Sequence, residues 1–315
     1  MNSPLVSVIM PCYRCAGTIV DAISSVLSQT YENIELVVVL DGADSEVLAE
    51  CGSFSDSRMS VYVIDKTGAS AARNYGFSVS KGDYVSFMDS DDVYDPHKIE
   101  MQIRASYSYQ AKVLTGSFYE FDDYCVRYLF SQLEDVEYDA NKWLNRYFRM
   151  EVYYPPLCYL IPRELVIKVN GWSEQLTFND DTYFMTRVVL ASGGLVHINK
   201  SVSGYRKGVD GSLSGSMTLD KAGSYLKCLN LIREALATEG SNSSLYEALA
   251  FRYAKFIYSI YPEYSSVLSA AEAEYCKLGQ PTKRAFGGGV IGKLEHVFGW
   301  RFVKQVKRYL KKIQC

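Results

Sequence analysis

The chain has no run of about 18 or more uncharged apolar residues, which excludes a bilayer-spanning helix of ordinary length. It has three histidines, His97, His197 and His296, without ligand spacing, so a histidine-built metal site is excluded and all three are read as structural. Eight cysteines show no repeating spacing. The one C-x-x-C, Cys12-Tyr13-Arg14-Cys15, lacks the second pair that zinc would need, leaving a thioredoxin-like redox pair as its alternative use. Residues 1–15 lack a basic start followed by an apolar run, so a cytoplasmic protein with reduced thiols is expected. There is no internal repeat and no low-complexity tract. The net charge of -3 hides an asymmetry, with Asp clustered early and Lys and Arg crowding the end. No nucleic-acid-binding module accompanies those cations, so nucleic acid is not an expected partner.

What is present is an alternation of strands and helices across 315 residues, enough to bury a large core. Residues 5–10 form an almost wholly apolar run, the pattern of a strand covered on both faces, and Pro11 is expected to end it. Thr18 with Asp21 resembles a helix cap ahead of Ile19, Ile23, Val26 and Leu27 at helical spacing. Residues 34–40 and 61–64 are further buried strands, 68–80 a small-residue helix, and 84–88 a strand running into Asp89-Ser90-Asp91-Asp92. The pattern predicts a doubly wound α/β fold, a mostly parallel sheet flanked by helices with right-handed crossovers. Ligands bind outside the carboxyl ends of such strands, where Pro11 to Tyr13, Asp41 and Asp89 to Asp92 all fall.

Residues 1–217 are thus expected to form the binding and catalytic domain, 218–280 a helical subdomain, and 281–315 a basic amphipathic tail after a flexible join at Pro281 and Gly287-Gly288-Gly289. In the tail, Phe302, Val303, Val306, Tyr309, Leu310 and Ile313 share one helical face and Arg301, Lys304, Lys307, Arg308, Lys311 and Lys312 the other. Such a helix either lies in a membrane interface or packs on the helical subdomain.

Five segments, Val8-Ile9-Met10-Pro11-Cys12-Tyr13, Val39-Leu40-Asp41-Gly42, Gly68-Ala69-Ser70-Ala71-Ala72-Arg73-Asn74, Phe87-Met88-Asp89-Ser90-Asp91-Asp92 and Asn179-Asp180-Asp181, resemble in their order the motifs of glycosyltransferase family 2. The resemblance covers residues 5–214 and implies a GT-A fold. It implies inverting, non-processive transfer of one sugar from a nucleotide diphosphate donor, a UDP-sugar, to an acceptor hydroxyl. The Gln/Arg-x-x-Arg-Trp motif of processive relatives is absent around Trp143, Trp172 and Trp300.

By that resemblance Pro11 and Tyr13 lie against the donor base, Asp41 accepts the uracil N3 proton, Arg73 faces the nucleotide, and Asp89 and Ser90 lie near the ribose. The plainer alternatives are that Asp41 begins a turn with Gly42 and that Arg73 is a surface helix cation. Diphosphate leaves poorly until its charge is neutralised, and a divalent metal, Mn²⁺ or Mg²⁺, does this while bridging carboxylate and phosphate oxygens. Asp91 is the expected ligand, assisted by Asp89, and Asp92 is expected to cap the segment that starts at Asp95-Pro96. A calcium loop over the same residues fails, because Tyr94 stands where glycine is required.

Asp181 matches the family's base, and Asp180 stands where the family usually has Glu, so either carboxylate is a candidate to take the acceptor proton, with helix capping as the plain alternative. Tyr205-Arg206 and Ser212-Leu213-Ser214 resemble a loop that closes over donor phosphates, although a Gly- and Ser-rich surface loop has the same composition. Residues 115–156 are expected to shape the sugar and acceptor pockets. The resemblance implies a sugar or lipid-linked saccharide acceptor, a bacterial surface polysaccharide, lipopolysaccharide or glycolipid as product, and peripheral location on the inner face of the cytoplasmic membrane. Two other classes compete. A nucleotidyltransferase would carry a glycine-rich strand-to-helix loop, which Pro11 to Gly17 is not; a binding protein that has lost catalysis would not need Asp181.

Overall fold

The computed structural model of the chain describes residues 3–109, 111–122, 125–130, 136–208, 215–279 and 289–314. They belong to two compact units, Met1–Tyr147 with Glu151–Ser216, and Phe148–Met150 with Met217–Cys315.

In the first unit, β1 (Val6–Cys12), α1 (Ile19–Leu27), β2 (Ile34–Asp41), α2 (Ser45–Gly52), β3 (Met59–Ile64), α3 (Ala69–Val79) and β4 (Tyr84–Phe87) alternate as the apolar pattern predicts. They pair in parallel in the order β3-β2-β1-β4. There follow β5 (Val93–Tyr94), α4 (Lys98–Ser106), β6 (Val113–Phe121), β7 (Val126–Phe130), β8 (Glu137–Asp139), α5 (Ala140–Phe148), β9 (Tyr159–Pro162), α6 (Arg163–Lys168), α7 (Asp180–Ser192) and β10 (Gly194–Arg206). The sheet continues past β4 as β9-β6-β10-β5, with β9 antiparallel to both neighbours and β10 parallel to β6. The fold is therefore α/β with a mostly parallel mixed sheet flanked by helices.

β1 is buried along its whole length, and each of its large aliphatic side chains contributes roughly 1.5–3 kcal/mol through burial. α3 crosses close above it because residue 76 is glycine: a Cβ there would meet Ile9 Cγ2 at 2.5 Å. Behind β4, Trp172 stacks on Phe184 with centroids 4.1 Å apart, and Phe87 meets both rings edge-on. These rings fix the start of α7 against the sheet.

Three local expectations are corrected. Pro11 does not end β1; it pairs with Val39, and the strand runs to Cys12. Proline is tolerated because Ile9 and Pro11 face β4, where Ile9 O accepts the Met88 N–H, and β4 itself has ended at Phe87. Thr18 precedes α1 without capping it, since its hydroxyl donates to Cys15 O instead, and Asp21 bonds Arg206. Asp92 does not cap the 95–96 segment. It is buried at 1% exposure and accepts the Arg206 backbone N–H.

The second unit contains α8 (Leu219–Thr238), α9 (Ser243–Ile260), α10 (Ser265–Lys277), α11 (Gly289–Phe298) and α12 (Trp300–Gln314). Thr218 and Asn242 cap α8 and α9 through their side-chain oxygens, each satisfying a backbone donor that the helix leaves open. Leu229, Ile232, Leu236, Leu249, Tyr253 and Phe256 form the packed interior between the first two helices. The expected join at Pro281, Gly287 and Gly288 lies outside the described residues. Among the described residues no helix is long and apolar enough to cross a membrane.

Candidate active site

The carboxyl ends of β1 and β2 open onto a pocket of about 340 Å³ whose lining includes Cys12, Tyr13, Asp41, Asp44 and Lys66. Tyr13 is half-exposed at its mouth, with the Lys66 ammonium donating to its hydroxyl at 2.6 Å. That bond lowers the phenol's pKa from its ordinary value. Asp41 forms the inner wall at 5% exposure, its two oxygens accepting the Thr67 and Gly68 N–H groups at 2.6 and 2.9 Å. Each carboxylate oxygen has a second lone pair, so Asp41 holds the entrance of α3 and can still accept a ligand proton. Cys12 and Cys15 are unbridged.

α3 then reaches the other motifs. Arg73, buried beneath the site, donates through one terminal nitrogen to Asp89 at 2.8 Å and through the other to Asp180 at 3.0 Å. Ser70 adds a bond to the same Asp180 oxygen at 2.8 Å. Asn74, one residue on, accepts the Trp172 N–H and donates to Trp172 O and Glu174. This stretch of α3 thus ties three segments, around Asp89, Trp172 and Asp180, that lie far apart in the chain. Arg73 was expected to face the nucleotide directly; its terminal nitrogens are instead engaged by carboxylates, and it lies over the Trp172 ring at 4.4 Å.

The Asp89-Ser90-Asp91-Asp92 loop follows β4. Burial, and then the Asp89 charge, raise the Asp91 pKa to about 6. Burial, and then Asp91 and Asp89, push Asp92 well above the carboxylate range. Ser90 is buried and turned toward the Cys12 and Cys15 thiols. Arg206 grips the loop from the far side, its backbone N–H on Asp92 at 3.0 Å and its Nε on Asp91 O at 2.8 Å. This corrects the expectation of a loop at Tyr205 and Arg206: both are the last residues of β10, paired with Glu120 and Phe121 of β6. Ser212 and Ser214 lie outside the described residues.

Asp180 and Asp181 open α7, the helix start at which the sequence placed them, and their surroundings differ. Asp180 shares the Arg73 fork, whereas Asp181 Oδ1 accepts the Thr182 N–H at 2.7 Å. Enclosure of the Tyr153 hydroxyl end, and then the Asp181 charge, raise the pKa of that phenol; at Tyr205 burial is followed by Asp92, Asp89 and Asp91, and only then by Asp181.

The sequence model for glycosyl transferase family 2 matches residues 7–168. The chain belongs to this family. Among curated relatives, the glycosyltransferase GlyG of Streptococcus pneumoniae is 32% identical over 221 residues, 65% of this chain and 71% of GlyG. WfgD of Escherichia coli, named a UDP-Glc:alpha-D-GlcNAc-diphosphoundecaprenol beta-1,3-glucosyltransferase, is 42% identical over 104 residues, 33% of this chain and 41% of WfgD. The match therefore spans less than half of WfgD's own length. S. aureus TarS, solved in complex with UDP-GlcNAc, superposes with a TM-score of 0.76 over 97% of this chain and 92% of the solved one, at 15% identity. At that identity the likeness speaks for the GT-A fold alone.

Within this glycosyltransferase, four contributors carried no sequence signal of their own. Lys66 sits outside every motif, Ser70 and Asn74 lay inside one without an assigned role, and Tyr153 falls in the segment expected to shape the sugar and acceptor pockets, where no single residue was picked out. Tyr153 is half-exposed and meets Phe118 edge-on at 6.4 Å, as Tyr205 does at the same distance. The two phenols therefore flank a common ring beside the carboxylates.

Proposed function

We propose that this glycosyltransferase moves one sugar, with inversion, from a UDP-sugar to a hydroxyl of a lipid-linked saccharide at the inner face of the cytoplasmic membrane, in surface polysaccharide or glycolipid synthesis. The observation that carries the reading is the α3 hub: one turn of helix holds the carboxylate of the base pocket, a carboxylate of the acidic loop and a carboxylate of the acceptor side. The donor in WfgD's name and the ligand of the TarS crystal support UDP as the nucleotide, and the diphosphoundecaprenol acceptor in WfgD's name supports a lipid carrier.

Tyr13 supplies a face for the uracil and Asp41 an acceptor for its N3 proton; a buried acceptor left unmatched disfavours other bases. Asp181 takes the proton of the acceptor hydroxyl as that oxygen bonds to the anomeric carbon. The bond from that carbon to the diphosphate breaks on the opposite face and UDP leaves with the electron pair. Arg73 holds Asp180 and Asp89 in place, so Asp180 positions the site and does not compete for the proton.

The acidic loop fits a divalent metal. Asp91 and Asp89 are hard oxygen donors, and the pKa of Asp91, raised by burial and then by the Asp89 charge, marks a carboxylate whose ionised form a cation would stabilise. Among the described residues no group of three or more His, Cys, Asp or Glu could hold a metal by itself. That suits a cation completed by donor phosphates, as Mg²⁺ commonly is. When bound, it would neutralise charge on the departing diphosphate.

The test is UDP release from UDP-sugars with Mn²⁺, for the native protein and Asp181→Ala. Loss of about 10²–10⁴ in rate with UDP binding retained is expected of a removed general base. Equal release from both proteins would remove Asp181 from the mechanism. UDP should also raise the melting temperature. EDTA should diminish that shift in the native protein and leave it unchanged in Asp91→Asn; an EDTA-insensitive native shift would dismiss the metal.

A further inference from the structure

α12 sits on its unit in an orientation opposite to that of an ordinary surface helix. Its polar flank faces protein. Lys304 donates to the backbone oxygens of Tyr258 and Ser259, Arg301 pairs with Glu272, Arg308 with Glu263, and Gln305 Nε2 donates to Tyr261 OH at 2.8 Å. Trp300 packs against Tyr258 and Tyr261, and Val303 is buried at 7% exposure. With that flank docked, the apolar stripe faces outward: Phe302, Val306 and Tyr309 are 55%, 40% and 68% exposed, and Leu310 is 53% exposed. α11 extends the stripe, since Phe298 meets Phe302 at 5.9 Å and Val297 is 74% exposed. A large contiguous apolar patch on a protein surface marks an interaction site.

Charge identifies the occupant. Of the seven Lys or Arg in residues 289–314, Arg301, Lys304 and Arg308 are engaged by the protein, whereas Lys293 is exposed and Lys307 partly exposed beside the stripe, and the single acid there, Glu295, is buried. A second copy would bring the same cations against these, whereas a surface of anionic headgroups over acyl chains matches both the stripe and its basic border.

We propose that the outward face of α11 and α12 is a lipid-docking surface, which lies in the interface of an anionic membrane with Phe302, Val306 and Tyr309 inserted and the neighbouring cations at headgroup level. The proposal stands on the second unit alone and holds whichever nucleotide or acceptor the first unit takes.

It is tested with the full-length protein by co-sedimentation with vesicles of phosphatidylcholine alone and of phosphatidylcholine mixed with phosphatidylglycerol. The native chain should partition onto the mixed vesicles and be released by salt, because exposed charges are screened beyond a Debye length. Lys307→Glu should lower the partition coefficient by at least about five-fold, the factor for one surface cation. The triple variant Phe302→Ser, Val306→Ser, Tyr309→Ser should lower it by about a hundred-fold or more. These side chains are exposed, so the UDP-dependent melting shift of the triple variant should equal that of the native protein; this control separates loss of docking from loss of fold or donor binding. Partition unchanged in the triple variant would overturn the proposal. So would a native chain that ignores both vesicles and dimerises through the stripe, seen as a mass by light scattering that halves in the triple variant.

Discussion

Arg73 and Lys98 are both sealed inside the α/β unit, at 5% and 0% exposure, and they end in opposite states. Burial works against the charge on Arg73, but Asp89 and Asp180 outweigh it and raise its pKa further. Lys98, in the first turn of α4, donates to Ser86 Oγ at 2.9 Å and lies over the Tyr94 ring at 4.2 Å. Among the described residues no carboxylate pairs with it, and burial lowers its pKa to about 7. The Ser86 hydroxyl also bonds Tyr159 O at 2.6 Å and Tyr94 OH at 2.7 Å, so the amine is surrounded by uncharged polar groups. Depth does not decide whether an interior cation keeps its charge. Partners do, and the enzyme keeps its fixed interior charge where donor and acceptor motifs meet.

The contrast breaks most visibly at Arg73. Arg73→Met leaves two carboxylates without their cation, and a loss of about 3–5 kcal/mol is expected in urea unfolding. A loss under about 1 kcal/mol would mean that the fork is dispensable to the fold.

Lys98 sharpens the contrast through pH. Its folded pKa is depressed, so between about 7 and 10.5 the unfolded chain holds a proton that the folded chain has released. Stability from this group therefore rises by about 1.4 kcal/mol per pH unit across that window and is lost as pH falls through 7. Lys98→Met should lack that slope, read as the difference between native and variant unfolding free energies at several pH values; parallel curves would put the charge elsewhere. The smallest effect is expected at Arg206→Ala. Its ion-pair partner Asp21 is solvent-exposed and its bond to Asp92 is made by the backbone, which the substitution keeps; what goes is the Nε bond to the Asp91 carbonyl and the packing over Phe121. About 1–2 kcal/mol should be lost in the same urea assay.

The same contrast marks what a sequence can reveal. The strand ends, α3 and the acidic loop were legible because each motif is contiguous and its spacing reflects a local strand-to-helix turn. Arg73 was picked out with its motif, yet its partners were not, because Asp180 is brought to it only by the Trp172 and Phe184 packing behind β4. Lys98 reads as an ordinary first-turn cation of an amphipathic helix; nothing in its neighbours says that β4 and β9 will cover it. Pro11 misled for a related reason. Whether a proline ends a strand depends on whether the adjacent strand asks for its missing donor. Asp41, Asp180 and Asp181 were picked out by their motifs, while Lys66 and Tyr153 required the fold.

Pro11 also explains why β4 leaves β1 where it does. In the parallel register of β1 and β4, the donor after Ile9 on that edge would belong to residue 11 and would seek the carbonyl of Met88. With no hydrogen to offer, the two chains part company there like the halves of an unfastened zip, and Asp89 to Asp92 can swing away from the sheet. A valine at position 11 would pull the fastener one tooth further, holding Met88 to β1.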